Sequence, residues 1–227
     1  MADVNARTVT NRPAPRGRAA TRERLLDAAR EILVLDGIQG ASVEHICDRA
    51  GFTRGAFYSN FDSKDDLVLA MFHREKTMMF ETLRQAADPV AFEGKDLSSA
   101  IEVIMDRFLS LQPGDRDWFL LNAEFAIHGI RQEDVGREFN EAWRQTKTDF
   151  REFLIMVVSA LGRRFTLDPD HAATIVMGTY ELSLREALVE GRPVDAALLR
   201  ESLPAVLLSM TTDDREVGTE HPRTAAH

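Results

Sequence analysis

Apolar positions recur every three to four residues along most of the chain. In "TRERLLDAAREILVLDG" they place Leu25, Ala28, Ala29, Ile32, Leu33 and Leu35 on one helical face. Thr21 is expected to cap the start of this helix and Gly37 its end. "ASVEHICDRAG" follows, with Ser42 as N-cap and Val43, Ile46, Cys47 and Ala50 as the inward stripe. Gly51 then supplies a turn position open to positive φ. "FTRGAFYSNF" is predicted as a short helix capped by Thr53. "FDSKDDLVLAMFHREKTMMFETLRQAA" opens the next helix, with Ser63 and Asp66 spaced as a capping box. Asp62, Asp65 and Asp66 therefore suit the positive end of a helix better than a metal site.

The pattern breaks at "DPVAFEGKD" and resumes in "DLSSAIEVIMDRFLSLQ", in "DRDWFLLNAEFAIHGI" and in a long stretch from Glu133 to Arg164. Two more amphipathic stretches, "DPDHAATIVMGTYELSLREALVEG" and "VDAALLRESLPAVLLSM", complete it. Pro113, Pro169 and Pro193 fall at breaks. Pro204 falls inside the last helix, where a kink is expected. No alternating strand pattern bounded by turn residues is visible. The predicted fold is all-α, with about nine helices.

Composition narrows the function classes. No run approaches the roughly 18–20 apolar residues that a membrane span needs. "MADVNARTVTNRPAPRGRAA" lacks the apolar core of a secretory signal, and a single cysteine, Cys47, forbids an intrachain disulfide. No membrane partner and a cytoplasmic location are expected. Cys47 lies on the inward stripe, where a small apolar residue is wanted, which favours packing over a redox role. The formal charge is −9, yet residues 1–60 carry +2 and residues 1–24 carry +4. A positive arm on an acidic body is an asymmetry with meaning, although a solvated tail has the same composition.

The short helix after Gly51 carries the candidate chemistry. At 100° per residue, with Phe57 facing the core, Ala56 and Phe61 fall near the core side. Gly55, Tyr58 and Ser59 fall on the opposite face, with Arg54 at its rim near the N-terminus. A small gap, a phenol, a hydroxyl and a guanidinium suit a DNA major groove. Arg reads guanine edges, Tyr and Ser reach phosphates or bases, and Gly lets the backbone come close.

These residues also carry a resemblance. "TRERLLDAAREILVLDG…SVEHICDRAGFTRGAFYSNFDSKDDLVLAMF", about residues 21–72, resembles the N-terminal domain of the TetR/AcrR family of bacterial transcriptional regulators. The resemblance implies that Thr53, Arg54, Gly55, Tyr58, Ser59 and Asn60 form the reading surface, and that Thr21, Ser42 and Lys64 contact phosphates. Ser59 and Asn60 stand where bulkier residues are common in the family, and Phe52 replaces a small aliphatic one. The implied organisation is a flexible Arg-rich arm (1–20), a three-helix helix-turn-helix DNA-binding domain (21–68), a helical effector-binding and dimerisation domain (69–212) and a flexible tail (213–227).

The second half shows no recognised motif. Met78, Met105, Phe108, Trp118, Phe125, Trp143 and Phe150 recur at helical spacings and serve equally as core or as pocket lining. Asn122, Glu124 and His128 lie close together on one helix, either exposed or turned toward a ligand. Thr174, Gly178 and Leu182 share one stripe, and Leu199, Leu203, Val206 and Met210 another. Both are expected to build a four-helix dimer interface. No GxSxG, phosphate loop or HExxH is present, so no catalytic residue, cofactor or metal is expected. The expected function is that of a repressor, binding a palindromic double-stranded operator as a homodimer and released by a small apolar molecule. The alternative is a helical enzyme or interaction scaffold that retains the helix pair only for packing.

Overall fold

The computed structural model describes residues 17–88, 90, 93–111, 115–192 and 196–214. Among them are nine α-helices and a pair of three-residue strands. The chain divides into two compact units, residues 1–68 and 69–227.

The first unit holds α1 (Arg18–Gly40), α2 (Val43–Ala50), α3 (Arg54–Tyr58) and the opening turn of α4 (Lys64–Ala86). Its apolar stripes meet in a core that includes Leu25, Leu33, Ile38, Ile46, Phe57, Phe61 and Leu67, all at most 2% exposed. α1 does not begin at Thr21. It begins at Arg18, because Arg18, Ala19 and Ala20 are good helix formers that carry it back to Gly17. Thr21 instead lies in the first turn, its N–H bonded to the Gly17 carbonyl at 3.2 Å. The expected arm thus loses its last three residues to α1, and residues 1–16 lie outside the described residues. Leu35 is 78% exposed rather than buried, because it falls past the rim of the stripe just before Gly37 breaks the helix at φ 69°.

α2 ends in a Schellman turn. Gly51 adopts φ 72°, its N–H bonds the Asp48 carbonyl, and the Phe52 N–H bonds the Cys47 carbonyl at 2.9 Å. Ser42 caps α2 by accepting from the His45 N–H at 3.1 Å, and Thr53 caps α3 by accepting from the Ala56 N–H at 3.2 Å. Ser63 accepts from the Asp66 N–H at 3.0 Å. The Asp66 carboxylate reaches back one residue further than a capping box requires, to the Asp62 N–H.

The second unit comprises the rest of α4, α5 (Leu97–Leu111), α6 (Asp115–Arg131), α7 (Glu133–Ala160), β1 (Arg163–Phe165), α8 (Pro169–Val189), α9 (Ala196–Ser209) and β2 (Thr211–Asp213). α5 packs on α9, α6 on α7, and α7 on α8. Their shared core includes Phe80, Ile104, Phe108, Leu154, Ala172, Leu199 and Leu207. Pro204 lies inside α9, and the helix is continuous through it. The expectation of no strand is corrected. β1 and β2 pair antiparallel, Arg163 opposite Asp213 and Phe165 opposite Thr211. Three residues are too few to display an alternating pattern. The pairing is held by Arg163, whose guanidinium donates to the Thr211 carbonyl at 3.0 Å and to the Asp213 carboxylate at 2.7 Å. Asp213 therefore belongs to β2 rather than to a loose tail, and residues 215–227 lie outside the described residues.

Candidate DNA-reading surface and ligand cavity

α3 is presented by its own anchor. Phe57 is fully buried, with its ring edge-on to Tyr58 at 5.2 Å and tilted against Phe61 at 5.7 Å. That leaves Arg54, Gly55, Tyr58 and Ser59 outward, as the helical phase requires. Arg54 pairs with Glu44 on α2 at 2.6 Å, and its guanidinium stands 5.9 Å from the Tyr58 ring centroid. Tyr58 is 48% exposed. A Cβ added at Gly55 would meet only Thr53 Oγ1 at 3.7 Å, so nothing within the fold demands glycine there. The Ser42 and Thr53 hydroxyls each accept one cap bond, and each keeps its O–H proton for an external acceptor.

Three expected contacts are engaged internally. The Ser59 hydroxyl, although exposed, donates to the Ala56 carbonyl at 2.9 Å. The Asn60 amide is half-buried and donates to the Ala56 carbonyl at 2.8 Å, which turns it away from the outward face. Lys64 Nζ donates to the carbonyls of Ile38 at 2.8 Å and Ala41 at 3.0 Å, stitching the start of α4 to the α1–α2 turn. A third donor remains on the ammonium. Glu44, which sequence reading passed over, is placed against Arg54. The S-V-E spacing after the α2 cap was the available signal. Cys47 is buried, and burial chiefly pushes its thiol up, which matches a packing role.

Within the second unit, residues of α4 to α9 line a partly open cavity of about 100 Å³. Met105, Phe108, Trp118, Asn122, Trp143 and Phe150 line it as the sequence suggested. Met78 does not. It is 55% exposed, and Met79, a further 100° around α4, takes the place. Phe125 packs edge-on to Phe72 at 5.1 Å and lines a smaller neighbouring cavity of about 20 Å³ and an outer groove, not the main cavity. His128 is buried against Phe139, ring centroids 5.4 Å apart, and is likewise off the cavity. Phe125 and His128 follow Asn122 on α6 by three and six positions, which at 100° per residue turns them about 60° and about 120° from its direction.

The cavity wall from α8 was missed. Val176, Met177, Tyr180 and Glu181 face inward, offset from the Thr174–Gly178–Leu182 stripe on the same helix. Asn122 donates to Glu181 Oε1 at 3.3 Å, and burial pushes the Glu181 carboxyl up against the partial offset of that bond. Nearby, Lys76 pairs with Asp149 at 3.0 Å. Burial would raise Asp149, but bonds from Gln145 and Lys76 and the charges of Lys76 and Arg84 hold it below the usual range.

The two expected interface stripes separate. Thr174, Gly178 and Leu182 are exposed on α8, with open space around a Cβ built at Gly178. Leu199 and Leu203 on α9 and Met210 just past its end are at most 5% exposed and Val206 is half-buried, all packed into the protomer's own core, where α9 lies against α5. A free α9 stripe is therefore corrected, since the apolar face of α9 already covers α5. Leu203 also lines the cavity. Among the described residues no cluster of three metal-ligating side chains occurs, and no helix is long and apolar enough to cross a membrane.

A capped, glycine-turned helix pair with an outward Arg-Gly-x-x-Tyr face, in one chain with a mostly helical second unit, defines a transcriptional regulator of the helix-turn-helix type. Comparison with known proteins agrees. The profile of bacterial regulatory proteins, tetR family, matches residues 25–71. The HTH-type transcriptional activator FasR of Mycolicibacterium smegmatis is 33% identical over 177 residues, 77% of this chain and 75% of that one. A putative TetR-family transcriptional regulator from Mesorhizobium loti shares the fold with a TM-score of 0.66 at 17% identity, over 86% of this chain and 96% of that one. FadR of Bacillus subtilis, solved in complex with stearoyl-CoA, shares it with a TM-score of 0.60 at 20% identity, over 82% and 97%. The chain belongs to the tetR family of bacterial regulatory proteins, whose members regulate transcription and are not enzymes.

Proposed function

We propose that the protein binds a palindromic double-stranded operator as a homodimer and is released from it by a small, mostly apolar effector. The observation that carries this reading is the outward face of α3, where Arg54, Tyr58 and Ser59 stand free of the core beside a glycine that packing does not require. Arg54 reads a base edge in the major groove, and the Ser42 and Thr53 hydroxyls take phosphates. Thr21 and the third donor of Lys64 add to the phosphate contacts. One short helix reads few base pairs, so two copies on a two-fold axis supply a site of adequate length. The exposed α8 stripe is the surface for that pairing. The cavity supports the effector. It is mostly apolar, it lies among six helices, and the FadR relative of the same fold holds an acyl-CoA. α4 carries Lys64 at its start and the cavity residues Met79 and Leu83 farther along, so one helix is common to both sites. A ligand acts only through differential affinity for two states, and about 1.4 kcal/mol of coupling gives a tenfold loss of DNA affinity.

Repression is the expected sign. The activator reading has one observation in its favour, the name of the FasR relative. Titration of the protein against its own upstream region at fixed salt tests DNA binding, with loss of binding on scrambling the palindrome as the expected result. A reporter driven by that region, with and without the protein, gives the sign. Absence of binding to any upstream fragment would remove the proposal.

A further inference from the structure

The proposed effector cavity has a charge signature that its apolar lining conceals. Its described lining contains one ionisable acid, Glu181, and no Lys, Arg or His. Two of the donors beside it are engaged within the protein. The Thr146 hydroxyl donates to the Ala142 carbonyl at 2.8 Å, and the Asn122 amide donates to Glu181 itself. In the smaller adjoining cavity the one cation, Lys76, is paired with Asp149, and Glu75 lines the same wall. Three aromatic rings stand on the Glu181 side. Tyr180 meets Phe108 at 5.9 Å and Trp118 at 6.1 Å, both edge-on.

We propose that this cavity selects an apolar organic cation, a protonated amine on a hydrocarbon body, with Glu181 as the residue that determines the preference. The inference rests on the reading of the cavity as the effector site. A buried carboxylate ligand would find a like charge and no cation in the described lining, and an uncompensated buried charge is strongly disfavoured. An ammonium finds the opposite. Glu181 retains acceptor sites beyond the one Asn122 occupies, and Trp118 and Tyr180 line the same cavity with aromatic surface of the kind that attracts cations. Glu181 is pushed up because burial removes its water. A bound ammonium replaces that lost stabilisation, so the acid gains a partner as the ligand gains one.

The test uses the full chain without DNA and three probes of one chain length, octylamine, octan-1-ol and octanoate, followed by quenching of tryptophan fluorescence. At about pH 7.5 the amine is protonated and the acid ionised. The expected order is amine, then alcohol, then acid, with the amine at least about tenfold tighter than the acid, equivalent to about 1.4 kcal/mol. Glu181→Gln keeps the shape and the acceptor for Asn122, and should weaken the amine about tenfold while leaving the alcohol within about twofold. Octanoate binding as tightly as octylamine, an amine preference that survives Glu181→Gln, or no binding by any probe would overturn the inference. If Glu181→Gln fails to fold in a thermal melt, the wild-type ranking alone decides. Operator titration with octylamine separates the two readings. Selective binding that leaves operator affinity unchanged sinks the effector role and leaves the cavity preference standing. Preferential octanoate binding that releases DNA does the reverse.

Discussion

Arg54 and Lys64 are both basic residues near the reading surface, and their surroundings assign them different work. Arg54 is exposed and paired directly with an exposed Glu44, a contact that solvent screens heavily. In the proposed complex the guanidinium would exchange Glu44 for a guanine edge at little cost. Arg54→Ala should lose about 1–3 kcal/mol of specific binding and relax one operator position, measured by titration of single-base operator variants. Unchanged affinity at fixed salt would remove α3 as the reading helix. Lys64, by contrast, holds two carbonyls at the α1–α2 turn. Lys64→Ala should destabilise the DNA-binding unit by about 1–3 kcal/mol in a denaturant melt, because two buried acceptors lose a charged donor. A Lys64→Ala protein of wild-type stability with only a flatter salt slope would show that phosphate contact, not stitching, is its main role.

At the scale of single elements, the turn between α2 and α3 and the inner face of α8 make the sharpest demands. Gly51 sits at φ 72°, and a Cβ there would meet nothing closer than an Arg24 guanidinium nitrogen at 3.5 Å. The obstacle to another residue is backbone strain alone. Gly51→Ala should cost about 1–2 kcal/mol of stability without altering the packing of Phe57, as a melt and near-ultraviolet circular dichroism would report. On α8, the sign for Glu181 follows from its raised pKa. Folding is favoured below the ordinary glutamate range and loses that contribution as pH rises through the raised value. Glu181→Gln should therefore raise the melting temperature at neutral and higher pH, and the gain should vanish in acid. A gain independent of pH would mean that charge burial is not the cause. Asp149 has the opposite sign. Its lowered pKa adds stability above the ordinary aspartate range that fades as pH falls.

For the whole molecule, the proposed pairing rests on the exposed apolar residues of α8 and their neighbours. Ile175 and Leu182 are 45% and 46% exposed on α8, and Ile155 and Met156 are 38% and 40% exposed on α7, which packs against it. Gly178→Arg and Leu182→Glu should each yield monomers that fold normally and bind the operator poorly, seen by analytical ultracentrifugation at micromolar concentration and by operator titration. Leu203→Glu belongs to another class. It buries a charge in the core and the cavity together, and should cost several kcal/mol of stability rather than separate subunits. Wild-type protein that sediments as a monomer at micromolar concentration would remove the homodimer.

Local rules carried a large part of this reading. Helical period and cap chemistry placed the stripes of α1 and α2, the caps Ser42 and Thr53, the left-handed Gly51 and the outward face of α3, because each depends on residues a turn or less apart. The same rules misjudged the start of α1, since capping and propensity competed over three residues. They could not separate the faces of the later helices. On α8 a single amphipathic run has two sides, one exposed at Gly178 and one holding Glu181 to Asn122 across 59 positions of sequence. On α9 an apolar stripe reads the same whether it meets a second copy or α5. Lys64 likewise finds its carbonyls only when α1 bends back at Gly37, and β1 finds β2 only across 50 residues. Periodicity states that a face is apolar. Which surface covers it depends on contacts distant in sequence, and those exist only once the helices have packed.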